Sequence, residues 1–391
     1  MARTAFRAAV AAIVALGGAP ALAGPTALVD ATSGRVLSAE QPFRKWVPAS
    51  LTKLMTVRLA FKALAAGELT EKSPVRMSAA AARQPPAKMG YGIGAVMTLD
   101  NALKMMIVKS ANDVSVAVAE AVAGSVTAFV EQMNAEAVAL GMTDTRFANP
   151  NGLDDDGQYT TARDLALLAA SIRRDFPDHA PLFAIPAIRT AKETDPTYNI
   201  LIGRYAGADG MKTGFVCASG FNMIASATRD GRTLIAVVLG EESQKARAET
   251  AARLLTAGFA MPADAGEPVA ALADAGGDAA QPVADMRGEV CTEKARAARW
   301  DGREIEGYIT FDTPDIVALK APLPGVPVGL GGTEGQSAAA VMVSGQMVKS
   351  IPVPAPRPVR EAITDDEDFS RYALRPGFSV PAPGERPQAA N

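Results

Sequence analysis

Within Pro48-Ala49-Ser50-Leu51-Thr52-Lys53-Leu54-Met55 a hydroxyl and an amine stand three residues apart, at the start of an apolar run with helical spacing. That interval puts Ser50 and Lys53 on one face of a first helical turn, a nucleophile beside a base. The unbonded N–H groups and positive dipole end of such a turn also favour oxygen anions. Taken alone the pattern is short, and its ordinary reading is a capping serine and a solvated lysine. A second polar cluster, Lys109-Ser110-Ala111-Asn112-Asp113, interrupts an apolar helical pattern running from 99 to 122. Buried polar groups need partners, so these residues suit a turn projecting into a cleft, or a helix-to-helix connection capped by Ser110 or Asn112. A third, Asp209-Gly210-Met211-Lys212-Thr213-Gly214-Phe215, opens a set of strand patterns and sets Lys212 and Thr213 on or beside the first of them. By local context Arg247 reads as a surface charge. His179, in Asp175-Phe176-Pro177-Asp178-His179, reads as a surface histidine on a loop, and a Ser-His-Asp triad would have to rest on it alone.

The elements that must position these groups follow from pattern. Residues 27–31 and 35–39 form a hairpin about Thr32-Ser33-Gly34, and the helix carrying Ser50 and Lys53 stops at Gly67. Residues 75–96 contain Pro85-Pro86, Gly90, Gly92 and Gly94, a loop-rich segment suited to the rim of a cleft, with Lys88 a solvated charge. Helices are expected over 126–140, capped by Ser125, and over 161–172, with the turn Asn149-Pro150-Asn151-Gly152-Leu153 between them. Strands at 220–227 and 234–239 flank Arg229-Asp230-Gly231-Arg232, whose Asp-Gly is a hairpin signal, and a helix follows over 243–259.

Composition removes several function classes. The chain has 391 residues, 48% of them apolar, enough for a sizeable core. A net charge of −3 gives no electrostatic case for nucleic acid or an anionic membrane surface. One histidine and two cysteines leave no ligand set for a metal centre, and no cofactor is expected. Arg3 and Arg7, an apolar run over 8–16 and Ala21-Leu22-Ala23 spell a secretory signal peptide, 1–23. Cleavage near Ala23 would leave an exported chain with no transmembrane segment, located in the periplasm or cell envelope. Export permits a disulfide, so Cys217 and Cys291 are expected to pair; two free buried thiols are the alternative. Beyond the main domain, 24–260, the composition predicts a flexible linker at 261–285, a small β unit at 286–350 with strands near 304–311 and 340–348, and a Pro-rich disordered tail at 351–391 with no amphipathic anchor helix.

Ser50-x-x-Lys53, Ser110-x-Asn112 and Lys212-Thr213-Gly214 stand in the order found in penicillin-binding proteins and class A β-lactamases. Over roughly 25–260 the sequence resembles the D-alanyl-D-alanine carboxypeptidases, the low-molecular-weight penicillin-binding serine peptidases. Besides the three motifs, the resemblance includes Asn149-Pro150-Asn151-Gly152-Leu153 and the hairpin over 227–240. It implies an α/β fold of the β-lactamase/transpeptidase type: an antiparallel sheet with helices on both sides and a largely helical subdomain over about 64–182. It also implies that Ser50 attacks the penultimate D-alanine carbonyl of a peptidoglycan pentapeptide stem and that Lys53 is its base. In the same scheme Ser110 relays a proton, and Asn112 holds Lys53 and the substrate amide. Lys212, Thr213 and Arg247 meet the substrate carboxylate, Gly214 admits its backbone, and the N–H groups of Ser50 and Phe215 form the oxyanion hole. β-Lactams would be covalent inhibitors. The region 149–156 lacks the Glu-x-x-Leu-Asn element of a class A β-lactamase, so fast β-lactam hydrolysis is not expected. A D,D-endopeptidase would use the same residues, and a catalytically silent wall-binding protein would not need them all.

Overall fold

Asp230 (φ 50°) and Gly231 (φ 77°) both take positive φ, as a two-residue type I′ turn requires, and join β8 (Gly220–Arg229) to β9 (Arg232–Glu241). This hairpin supplies two adjacent interior strands of a six-stranded sheet in a computed structural model that describes residues 24–272, 276–300 and 309–337. β1 (Thr26–Asp30) pairs with β9 on one side and with β2 (Arg35–Glu40) on the other, while β7 (Ala208–Val216) pairs with β8. β10 (Glu267–Pro268) completes the order β10-β2-β1-β9-β8-β7, every pair antiparallel.

The unbroken apolar run of β9 reflects burial on both faces. Ile235, Val237 and Leu239 enter one core, and Leu234, Ala236 and Val238 the other, as the two-residue period of a strand demands. The second core is closed by α7 (Gln244–Phe259), which Ser243 caps through its hydroxyl. The first is closed by α1 (Lys53–Ala65) and α6 (Ala162–Asp175), the latter capped by Thr161.

The helical half continues that first core. A short pair, β3 (Pro74–Arg76) with β4 (Val96–Thr98), brackets α2 (Ala79–Ala82) and the loop after it, so the segment expected as loop carries paired ends. α3 (Leu99–Val108) and α4 (Asn112–Ala123) are separated at Lys109-Ser110-Ala111, and α5 (Val126–Ala139) begins at the Ser125 cap. A small antiparallel pair, β5 (Ala187–Arg189) and β6 (Thr194–Pro196), precedes β7. His179 sits in a 3₁₀ segment and stacks on Phe61 of α1, ring centroids 4.3 Å apart.

Where composition predicts a linker, β10 lies on the outer edge of β2. Where it predicts a β unit, the described residues form α8 (Arg287–Val290), α9 (Glu293–Trp300) and a belt ending in β11 (Val326–Pro327), parallel to β5. The physical reason is that the segment's few apolar side chains, Met286, Val290, Ile316 and Val328, join the two existing cores instead of making a third. The belt donates Val317 N to Arg204 O, Val328 N to Arg189 O, Gly331 N to Val96 O and Glu334 N to Lys72 O, so it passes from the sheet half to the helical half. The signal peptide, the strand expected at 340–348, most of that at 304–311 and the Pro-rich tail lie outside the described residues. No single helix among the described residues is long and apolar enough to cross a membrane.

Candidate active site

Ser50 lies in a 3₁₀ turn, Ala49–Thr52, that runs directly into α1. In a three-residue turn the side chains of i and i+3 eclipse, so Ser50 and Lys53 meet more closely than on an α-helix. The turn is held from outside by Asn222 of β8, whose Nδ2 donates to Val47 O (3.0 Å) and Pro48 O (3.3 Å). It is also crowded by two glycines. A Cβ on Gly214 would lie 3.0 Å from Ser50 N, and one on Gly152 would lie 1.8 Å from Ala49 O. Gly214 therefore lets strand β7 approach the serine's own backbone, in addition to the approach of substrate expected from the sequence.

Lys53 is fully buried, and its Nζ has three neighbours: Ser50 Oγ at 2.8 Å, Asn112 Oδ1 at 2.7 Å and Asn151 O at 2.6 Å. The last two are carbonyl oxygens, which only accept. A neutral amine has two N–H donors and one lone pair, so satisfying both carbonyls turns the lone pair toward Ser50 Oγ, the one partner with a proton to give. The orientation of Asn112 is fixed by its other end, where Nδ2 donates to Pro85 O (3.0 Å) and Pro86 O (3.1 Å). Burial, and next the charge of Lys212, hold the Lys53 amine well below its ordinary value, while Asp113 opposes them.

Ser110, at φ 60° between α3 and α4, faces Lys212, whose Nζ donates to Ser110 Oγ at 3.0 Å and to Thr213 O at 2.8 Å. The strained backbone lets a serine break the helix without a glycine. Burial and then the neighbouring Arg247 guanidinium bring Lys212 down to about 7. Thr213 is buried beside it, and Phe215, 40% exposed, lies against Phe221 with centroids 4.3 Å apart. Arg247 is 3% exposed; its guanidinium faces the carbonyls of Gly214 and Asn222 (both 3.4 Å) and Tyr198 (3.3 Å). Its charge thus lies beside the Lys212 end of the cleft, with its N–H groups toward main chain. Cys217 and Cys291 are bonded, Cα atoms 5.6 Å apart, which ties α8 to the turn after β7.

The structure thus draws Ser50, Lys53 and Asn112 into one hydrogen-bonded group and Ser110 and Lys212 into a second, coupled by charge to the first. His179 belongs to neither. Three contributors went unnoticed as site residues. Asn151 supplies a backbone carbonyl, for which residue type gives no signal, although its turn was visible. Asn222 is an amide set among Phe221, Met223 and Ile224 of β8, a signal in plain view. Asp113 adjoins the second motif and has no exposed surface.

A serine paired with a buried lysine at the edge of an antiparallel sheet, under a helical half, is the architecture of the penicillin-binding serine acyl-transferases. The structure of penicillin-binding protein 5 from Haemophilus influenzae superposes with a TM-score of 0.59 at 35% identity, covering 63% of this chain and 73% of that one. Penicillin-binding protein D2 from Listeria monocytogenes, solved with ampicillin bound, gives 0.56 at 27% identity over 62% of this chain and 100% of its own. The D-alanyl-D-alanine carboxypeptidase family model matches residues 18–243, more than half of the sequence, and the chain belongs to that family. D-alanyl-D-alanine carboxypeptidase DacA of Haemophilus influenzae is 36% identical over 60% of this chain; the match spans 61% of that relative's length.

Proposed function

We propose that the chain is a serine D,D-carboxypeptidase of the cell envelope that removes the terminal D-alanine from peptidoglycan pentapeptide stems and is acylated by β-lactams. The observation that carries this reading is the set of partners around Lys53 Nζ, two acceptor-only carbonyls and the Ser50 hydroxyl. Ser50 Oγ attacks the carbonyl carbon between the two D-alanines while Lys53 takes its proton. The oxyanion is held by the N–H groups of Ser50 and Phe215, the latter on the sheet's edge strand. Ser110 passes a proton to the departing D-alanine amine, and water then hydrolyses the ester at Ser50. Lys212 and Thr213 bind the terminal carboxylate, with the charge of Arg247 behind them. The carboxylate also supports the charged form of Lys212 once bound, since an opposite charge raises a buried amine's proton affinity. Residues 24–260 are the catalytic domain in this reading, and 1–23 the export signal.

D-Alanine release from a pentapeptide is the test, with a cross-linked muropeptide as a second substrate. The expected result is release from the pentapeptide by the wild type and none by Ser50→Ala, which also fails to label with fluorescent penicillin. Cleavage of the cross-link alone would replace the carboxypeptidase with an endopeptidase. Labelling of the Ser50→Ala variant, or an inert wild type, would overturn the site.

A further inference from the structure

We propose that residues 193–199, which include β6, form a stop across the leaving-group end of the cleft, restricting the site to a free chain terminus and making Asp195 a specificity-determining residue. The proposal deepens the carboxypeptidase reading above and rests on it.

Along β7 the site residues stand in the order of the bond they would cleave. Lys212 and Thr213, which take the terminal carboxylate in that reading, precede Phe215, whose N–H receives the oxygen of the scissile carbonyl. The departing residue therefore lies toward the start of the strand. A departing D-alanine carries only a methyl group and a carboxylate. A cross-link replaces the methyl group with a side chain leading into a second peptide, which has to leave the cleft past that end.

The end is occupied by chain. Ile188 of β5 belongs to the core under the helical half and Leu201 to the core under α7, so between them the backbone passes from one face of the sheet to the other. This passage is anchored on both walls of the cleft. On the helical wall, Lys109 Nζ, next in sequence to Ser110, donates to Asp195 Oδ1 at 2.6 Å and to Glu193 Oε1 at 3.1 Å. On the sheet wall, Arg247 Nη2 donates to Tyr198 O at 3.3 Å, and Asn199 Nδ2 donates to Gly210 O at 2.7 Å, two residues before Lys212. Lys212 in turn reaches Ser110 at 3.0 Å, so the anchors flank the contact that marks the carboxylate end.

The stop is also braced from behind. β11 pairs with β5, and a Cβ on Gly325 would lie 3.1 Å from both Arg189 Cβ and Thr194 Cγ2, so the hairpin β5–β6 has little room to retreat. Of the two acidic partners of Lys109, Glu193 has a side chain that is 62% exposed, and water competes for it. Lys109 and Asp195 are each 18% exposed, which makes Asp195 the principal tie to the helical wall.

The test compares kcat/KM of the full chain on a pentapeptide and on a D-alanine-cross-linked muropeptide dimer, for wild type, Asp195→Ala and Asp195→Glu. Wild type should cleave the dimer at least about tenfold less efficiently than the pentapeptide, the scale on which a pocket discriminates by the size of a group. Asp195→Ala frees the stop from the helical wall and should raise the ratio of dimer to pentapeptide cleavage by about tenfold, with Ser50, Lys53 and the carboxylate clamp intact. Asp195→Glu keeps an ion pair with Lys109 and should stay near the wild-type ratio. A residue that only braces the fold would lower both rates together, so an unchanged ratio in Asp195→Ala overturns the proposal. If Asp195→Ala does not fold, an unchanged ratio in Asp195→Asn has the same consequence. A wild type that cleaves the dimer as readily as the pentapeptide also overturns it, whereas a wild type that releases no D-alanine from the pentapeptide sinks the carboxypeptidase reading itself.

Discussion

The cleft and the C-terminal belt are both fastened by polar contacts, yet they differ in how much water those contacts see. Lys53, Asn112, Asp113 and Lys212 are all buried, and each bond among them replaces solvation that is no longer available. The belt's Lys72–Glu334 pair, at 2.8 Å, joins side chains that are 60% and 68% exposed. Water competes for every such contact. The lesson is that loss of one partner in the cleft leaves a buried group uncompensated, whereas loss of one in the belt returns it to solvent.

The widest gap between the regions should appear at Lys53. Lys53→Ala is expected to slow penicillin acylation by about 10²- to 10⁴-fold, the range for removal of a general base, measured by stopped-flow or gel labelling. A smaller loss would place the base elsewhere.

The pH dependence sharpens the same side of the comparison. As pH rises through the lowered value of Lys53, its neutral form accumulates and acylation should accelerate. As pH passes about 7, Lys212 loses its proton in the free enzyme and kcat/KM for a carboxylate-bearing peptide should decline. Lys212→Arg keeps the charge and should remove the falling limb. Stability has its own sign. Lys212 holds its proton up to its ordinary 10.5 when unfolded but only to about 7 when folded. The unfolded chain therefore binds more protons in that window, and thermal stability should rise with pH across it, less steeply in Lys212→Met.

The disulfide belongs to the belt by position and to the core by energy. It closes a loop of 74 residues, and Cys217→Ser with Cys291→Ser should cost about 4 kcal/mol of unfolding free energy by the chain-entropy argument, read by denaturant melts under oxidising conditions. The smallest effect is expected at Glu334→Ala, below about 1 kcal/mol and salt-dependent. A larger one would show that the belt closes the molecule as strongly as its core does.

How far these regions were legible in sequence follows the same division. The helix from Lys53, the cap at Ser125 and the Asp230-Gly231 turn were readable because each depends on residue type and local spacing. So was the conjunction of Ser50, Lys53 and Asn112, through a motif whose side chains make the contacts. The carbonyl of Asn151 was not, because backbone oxygens are the same in every residue and only the closed tertiary structure selects one. Short strands such as β10 and β11, two residues each, carry no periodicity to detect, and their pairing comes from docking on edges already formed. Local context reads Arg247 as a surface charge, yet the side chain is 3% exposed, and the carbonyls that its guanidinium faces could not be foreseen from spacing.

One consequence of the sheet order concerns its two margins. β10 lies along the outer side of β2 and ends in Pro268, which has no N–H to extend the ladder. At the other margin β7 has only β8 as a strand partner and runs past Ser50. The sheet is thus asymmetric as a template: β7 offers its outer edge beside the serine, whereas the opposite margin is paired only at Arg35 and Val36 and ends in a proline.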